Sequence, residues 1–579
     1  MIEDAAGEGI FTPEQLSDEH RLIGQTADEF VTQEVLPAID RLEQKDWTLA
    51  RQLVRRAGEL GLLGTDVPES FGGVDLDKVS SIVVGEAVGR SASFATTFGA
   101  ETGLAITPLL CFGSEDQKSQ YLPRLVSGEW VGAYALSESG SGSDALGAKA
   151  RATRLPDGSF SLSGEKMWIT NGGFADVFIV FAKVDGEQFT AFIVERAFAG
   201  VSSGKEEHKM GLHGSSTTSL LLQDVPVPAA NLLGEIGKGH KVAFNVLNFG
   251  RFKLGAMCLG GCKTAIEESA RYAASRKQFG QPIASFGAIK HKLGEMTART
   301  YALESMMYRI GGLIDGTMHA ASGEKSQALL GALEEFAVEA SIAKVFGSEV
   351  LDFVLDENVQ IHGGNGYVHD YPAERRYRDA RVNRIFEGTN EINRLLIPGM
   401  LLKRAIKGDL PLVTAARALR DEIMAPAPLG LEPGDLPPLA AEAKVVDGFR
   451  KTCLMVAGAA MERYGANLQD EQELMLWLGD LLIETFAADS AVLRAQASAA
   501  ASERTAPLQS DVARLFVATA ALHIDHAARE ALGAIAEGDV LRTQMAALRR
   551  LLKAPPINTV ALRRRVAENT TAAGTYLFT

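Results

Sequence analysis

Cysteine is scarce in this chain. Cys111, Cys258, Cys262 and Cys453 are the only four in 579 residues, too few for a disulfide scaffold, and a reducing compartment is expected. Cys258 and Cys262 stand one helical turn apart, which suits buried helix positions better than a zinc site. Positive charge is also in deficit. Lys and Arg total 58 against 73 Asp and Glu, a formal net charge of −15. That excludes a general nucleic-acid binder, because phosphate affinity needs clustered cations.

Long apolar runs are missing as well. No stretch reaches the roughly 18 apolar residues that a membrane-spanning helix needs, so none is expected. The opening residues, Met1 to Ala6, are acidic and lack the basic and apolar regions of a signal peptide. They are also too acidic for a mitochondrial transit peptide, and the sequence reads as cytoplasmic or as a mature form already trimmed. No complete Gly-x-Gly-x-x-Gly or Walker pattern occurs, so no fingerprint supports a Rossmann or P-loop nucleotide site. Two partial motifs fail on context. Gly200-Val201-Ser202-Ser203-Gly204 has the spacing of a serine-hydrolase elbow, but charged Lys205 to His208 follow it where an apolar helix should. His523 and His526 have helical spacing but no third metal ligand, and no metal site is expected.

What is present is a soluble, globular composition, 46% hydrophobic and 23% charged, long enough for several cores. Thr12-Pro13-Glu14-Gln15 reads as a helix start with a capping box. Helical patterns run from there to about Leu125, broken at Pro68 to Gly73 and restarted by the capping box Ser114 to Gln117. The stretch Phe94 to Gly103 is rich in small residues, which allows either close helix packing or a wall beside a long ligand tail. From about Val131 the period shortens. Runs such as Val177 to Ala182 and Thr190 to Val194 alternate with turns at Pro156-Asp157-Gly158, Asn171-Gly172-Gly173 and Asp185-Gly186. The expected organisation is helices over 1–130, a β domain over 131–235 and helices over 236–407. A Pro- and Gly-rich linker over 408–439 follows, then further helices over 440–579. No short internal repeat is visible.

Five segments carry candidate chemistry. Ser137 to Asp144 places small hydroxyl-bearing residues after an apolar strand, suited to a polar ring or a phosphate, or merely to a surface loop. Lys166 to Gly173 puts Trp168 on a strand before a tight turn, where it could stack on a planar cofactor or belong to a core. Arg276 to Gly280 sets a guanidinium and an aromatic at a helix end, either a pyrophosphate clamp or a solvated terminus. Gln360 to Gly366 is glycine-rich, allowing close backbone approach to a ligand. Arg384 to Ile392 places one carboxylate, Glu387, between apolar residues and a Gly-Thr-Asn turn. Taken alone, a Glu so placed more often caps the helix that follows, and the alternative is a general base.

In this order and spacing, from about Thr12 to Arg404, these segments resemble the acyl-CoA dehydrogenase family. The helical region after the linker makes the chain similar to its very-long-chain branch. The resemblance implies an α+β multidomain fold, mainly α: an N-terminal helical domain, a middle β-barrel-like domain, a C-terminal four-helix bundle and an extra C-terminal helical domain. It implies FAD as cofactor, with Tyr134, Leu136 and Ser137 lining the flavin and Ser143 near both flavin and substrate. Trp168 and Thr170 would flank the isoalloxazine, and Thr389 and Glu391 would contact FAD beside the base. Arg276, Phe279, Gln360, Gly363 and Gly364 match segments that reach the FAD of a neighbouring subunit, hence a homodimer. Glu387 would be the base, with Arg251 and Gly388 beside the substrate. The isovaleryl-like branch carries its carboxylate just before an Arg on another helix. Here that place is Gly250, before Arg251, so Glu387 has no rival. Phe386 replaces a Tyr frequent in the family, with little effect expected.

The implied reaction is removal of the α-proton of an acyl-CoA, of long chain by branch, with the β-hydride passing to flavin N5. The product would be a trans-2-enoyl-CoA of fatty-acid β-oxidation, and an electron-transfer flavoprotein would accept the electrons. Two alternatives stand beside it: a flavin oxidase of similar fold that reduces oxygen, and a family member serving in assembly as a scaffold. The implied setting is a bacterial cytoplasm. Leu412 to Met424, with Ala415, Leu419 and Ile423 among Arg417, Arg420 and Asp421, offers a candidate peripheral contact with the inner membrane, as do the basic residues Arg549, Arg550, Lys553 and Arg563 to Arg565. A solvated helix face is the plainer reading of both.

Overall fold

The computed structural model describes residues 9–424 and 438–578. The Thr12 signal produces only the single 3-10 turn Pro13–Gln15. The long helix begins later, at Asp18–Phe30, because Ser17 is the better cap: its hydroxyl accepts from His20 N–H at 3.2 Å. The second capping box does form. Ser114 Oγ accepts from Gln117 N–H at 3.2 Å, and the helix Glu115–Val126 follows. Within the small-residue stretch, the helix Ala92–Gly99 continues into a widened turn over Ala100–Ile106.

The middle of the chain folds into an eight-stranded sheet, in the order Val201–Ser203, Thr217–Val227, Phe160–Thr170, Arg151–Arg154, Val177–Val184, Gln188–Glu195 and Leu232–Leu233. The strand Gly132–Ala135 pairs with Val177–Val184 in parallel, off that path. The two-residue period of a strand sorts the buried side chains of Val177–Val184 between two cores. Val177, Ile179 and Phe181 join the helical core, whereas Phe178, Val180 and Ala182 join the cluster inside the sheet.

Three long helices follow: Gly239–Ser275, Gly287–Ala320 and Ala337–His362. Cys258 and Cys262 are buried on the first. After Asn390–Lys407 the expected linker is partly ordered. Leu412–Met424 is a helix, and its Leu412 and Leu419 are buried against Leu454. The apolar side that was a candidate membrane face therefore packs on the protein. Residues 425–437, which hold most of the Pro- and Gly-rich part, lie outside the described residues. Among the described residues no helix is long and apolar enough to cross a membrane, and no group of His, Cys, Asp and Glu could hold a metal ion.

The last helices, Ala440–Tyr464, Gln472–Ala500, Ala506–Ile535, Gly538–Leu551 and Thr559–Ala573, share one apolar core with the earlier ones. Gly294 allows the final helix to approach, since a Cβ there would lie 2.9 Å from the Arg563 backbone. Two of the basic residues of this region are engaged: Arg563 with Glu295 at 2.6 Å and Arg565 with Asp511 at 2.8 Å. The deepest link is Arg494, fully buried, which binds Glu304 at 2.5 Å and Glu14 at 2.7 Å. It also donates to the carbonyl of Phe578 at 3.3 Å. One guanidinium thus ties the first turn, the central bundle and the last residues together.

Removing one partner of a buried ion pair leaves the other charge uncompensated, at a cost of about 3–5 kcal/mol. Arg494→Met should lower stability by that order, read as a drop in the denaturant midpoint. A loss within about 0.5 kcal/mol, the usual range for surface substitutions, would contradict the assignment.

Candidate active site

Glu387 lies between the 3-10 turn Arg381–Arg384 and the helix Asn390–Lys407. It is not the helix cap. Thr389 is, with its hydroxyl accepting from Ile392 N–H at 3.3 Å. Glu387 itself adopts φ 58°, and Gly388 follows at φ 80°. A left-handed residue with a side chain costs about 1–3 kcal/mol and persists only where its surroundings enforce it. Here they do. Arg251 Nε donates to the Glu387 carbonyl at 3.0 Å, and Lys344 Nζ donates to the Gly388 carbonyl at 2.7 Å. Asn393 Nδ2 donates to the carbonyls of Gly388 and Thr389 at 2.8 and 3.0 Å.

The backbone is saturated while the carboxylate is not. Glu387 Oε2 is enclosed and has no hydrogen-bond partner. It presses on Gly250, where a Cβ would fall 2.8 Å from Oε2. Only glycine leaves room for the carboxylate there, which gives the missing side chain beside Arg251 a steric reason. Burial pushes the Glu387 carboxyl up to about 7, against the opposing pull of Arg251 and Lys344. Tyr134 is close enough to feel that charge: burial, with Glu387 adding to it, raises its phenol well above the usual tyrosine value.

Tyr134 belongs to the strand Gly132–Ala135, and Leu136 and Ser137 follow it. Met167 N–H donates to the Ser137 carbonyl at 2.9 Å, and Lys166 Nζ donates to the Leu136 carbonyl at 3.1 Å. These bonds set the Ser137 loop beside Trp168. The strand Phe160–Thr170 is irregular between Lys166 and Ile169, and Trp168 there takes φ 57°. Its side chain stands 57% exposed, so the core reading of this tryptophan does not hold. Ser143 is exposed on the same loop, and Thr170 is half-buried at the strand end. A bare indole beside hydroxyl-bearing residues fits a planar aromatic group such as a flavin.

Another set of predicted residues lies elsewhere. Gln360 stands 16 residues beyond Lys344 on the helix Ala337–His362, about 24 Å away at the rise of an α-helix. Arg276, Phe279, Gln360, Gly363 and Gly364 are all exposed at that far end, Phe279 to 93%. Phe279 tips a two-residue ribbon just past the helix end, where the sequence allows either a pyrophosphate clamp or a solvated terminus. This chain does not bring these five to Glu387. Glu391 is exposed in the first turn of its helix, its carboxyl held low by its own backbone N–H and the Thr389 hydroxyl.

The small residues before Gly103 pack closely. A Cβ on Gly99 would lie 3.2 Å from Met257 Cε, and one on Gly103 would lie 3.7 Å from Lys253. That favours helix packing over an open wall. Sequence reasoning missed Lys344 and Asn393, which hold the loop after Glu387. The one available signal was a lysine amid the apolar run from Ala337 to Phe346, since Lys is almost never fully buried unless paired.

Comparison with known proteins agrees with this geometry. Residues 17–129, 133–225 and 237–401 match the acyl-CoA dehydrogenase N-terminal, middle and C-terminal domains, and residues 448–550 match a further acyl-CoA dehydrogenase C-terminal domain. A "Probable acyl-CoA dehydrogenase" of Bacillus subtilis is 47% identical over 572 residues, 98% of this chain and 96% of that protein. A crystal structure of an acyl-CoA dehydrogenase complexed with FAD from Bacillus anthracis is 48% identical, with a TM-score of 0.95 over 98% of this chain and 97% of that one. The mitochondrial very long-chain specific acyl-CoA dehydrogenase of Rattus norvegicus is 40% identical over 350 residues, 58% of this chain and 51% of that protein. The chain belongs to the acyl-CoA dehydrogenase family.

A carboxyl whose folded value is raised contributes stability that is complete below its unfolded value and lost as pH rises through the folded one. For Glu387 that window runs from about 4.5 to about 7. Glu387→Gln should therefore gain on the parent above pH 7, by about 1–3 kcal/mol, and gain nothing below the window. Thermal unfolding across pH checks this, and a constant difference would contradict it.

Proposed function

We propose that the chain dehydrogenates an acyl-CoA thioester between its α and β carbons, with Glu387 as the base and FAD as the cofactor. The observation that carries this reading is the Glu387 carboxylate: enclosed, without a hydrogen-bond partner, and raised to about 7. A proton α to a thioester is weakly acidic, and a base near the working pH removes it most effectively. Glu387 takes that proton on its free oxygen. An apolar acyl chain packed over it excludes water and keeps the carboxylate desolvated. Arg251 and Asn393 fix the backbone that aims it, and Ser143, Arg251 and Gly388 border the substrate.

Tyr134, Leu136, Ser137, Ser143, Trp168, Thr170, Thr389 and Glu391 would hold the cofactor. FAD when bound accepts the β-hydride at N5, leaving a trans-2-enoyl-CoA. The exposed far-end group, Arg276, Phe279, Gln360, Gly363 and Gly364, serves the cofactor of a second subunit in a homodimer. An electron-transfer flavoprotein takes the electrons onward, and likeness to the very-long-chain branch supports a long acyl chain.

An anaerobic titration of the purified protein with palmitoyl-CoA tests the reading. Bleaching of the oxidised flavin band, abolished in Glu387→Gln, is expected. Bleaching by octanoyl-CoA but not palmitoyl-CoA would keep the chemistry and overturn the chain length, whereas no bleaching with any acyl-CoA would overturn the function.

A further inference from the structure

Lys344 has no assigned part in the chemistry, yet its position is unusual. It is fully buried on the helix Ala337–His362, a placement a lysine keeps only when paired or hydrogen-bonded. Its ammonium donates to the Gly388 carbonyl at 2.7 Å and to Asn390 Oδ1 at 2.6 Å. Those acceptors follow Glu387 directly in the chain. At the other end of the amide, Asn390 Nδ2 donates to Ser348 Oγ at 3.1 Å and to Glu349 Oε1 at 3.0 Å. Asn390 is therefore oriented with its oxygen toward Lys344.

We propose that Lys344 is a positioning residue for the base: its charge, held against the backbone after Glu387, favours the ionised form of that carboxylate. The inference rests on Glu387 being the base.

The other charged and titratable groups around the loop do not supply this effect. Glu349 is committed to Arg394, at 2.6 and 2.8 Å. Arg394 is shared between Glu349 and Asp480. Glu391 is exposed to solvent. Cys258 and Tyr134 are neutral near pH 7, because burial raises both. That leaves Arg251, which donates to the Glu387 carbonyl and to Asn248 Oδ1 at 2.9 Å, and Lys344. An arginine stays charged throughout. Lys344 does not, since burial pulls it down to about 8. The base and its cation thus titrate within reach of each other. Losing the cation removes an attraction for the carboxylate form, so the Glu387 value must rise.

Two variants separate charge from geometry. Lys344→Gln keeps a donor for the Gly388 carbonyl and removes the charge, while Lys344→Arg keeps both. In Lys344→Gln the acid limb of the kcat/KM profile for flavin reduction should move to higher pH by about one unit, and Lys344→Arg should restore it. A substrate-free readout runs in parallel: the pH at which the stability gained by Glu387→Gln over its parent stops growing, set by the folded value of Glu387 and measured by thermal unfolding with Lys or Gln at 344. That pH should rise in the Gln background. If neither readout moves in folded Lys344→Gln, the inference fails. If the unfolding readout moves but no acyl-CoA bleaches the flavin, the inference stands and the dehydrogenase reading falls. If Lys344→Gln does not fold while Lys344→Arg does, Asn390→Asp, which places a second carboxylate against Lys344, must raise the acid limb as well, and an unmoved limb there overturns the proposal.

Discussion

Taking a carboxylate oxygen out of water without giving it a hydrogen bond costs free energy, and Glu387 Oε2 is in that condition. The desolvation penalty for an unpartnered polar group is about 1–3 kcal/mol and more for a charged one. The surrounding structure meets this cost by over-determining the backbone instead of the side chain. Arg251, Lys344 and Asn393 come from three different helices and converge on three consecutive carbonyls. Gly250 supplies the space. Each of these contributions requires the long helices to be held rigidly against one another, so the placement of one oxygen depends on the packing of the whole helical core. Rigid helices aim a site more accurately than loops do.

The same dependence explains why the last quarter of the chain is not an appendage. Its helices share the apolar core of the bundle, and Arg394, one turn after the Glu387 loop, pairs with Asp480 from this last quarter at 2.7 Å. Gly479 lets that helix approach, since a Cβ there would lie 2.8 Å from the Arg394 carbonyl. Through Arg494, Glu304 and Glu14 the final helices also clamp the first turn of the chain. The helix that follows the Glu387 loop is thus braced by the final helices of the chain.

The order of helices, sheet and helices was legible because local signals do not depend on the rest of the fold. The Ser114 capping box and the strand runs set off by turns are properties of a few adjacent residues, and both formed as read. The Thr12 signal produced only one turn because Ser17 competes a few residues later. Leu412–Met424, read within a linker, is helical because Leu412 and Leu419 find an apolar partner in Leu454, far along the chain.

Sequence by itself determined which residue types stand where: one carboxylate in a Gly-Thr-Asn turn, a Gly before Arg251, a tryptophan before a turn. Their period and spacing were enough for the family resemblance. Only the tertiary structure decided what they do together. The raised value of Glu387, the steric need for Gly250, the bare face of Trp168 and the burial of Lys344 all arise from contacts between residues tens to hundreds of positions apart. Desolvation and packing are properties of the assembled surroundings, and no window of sequence contains them.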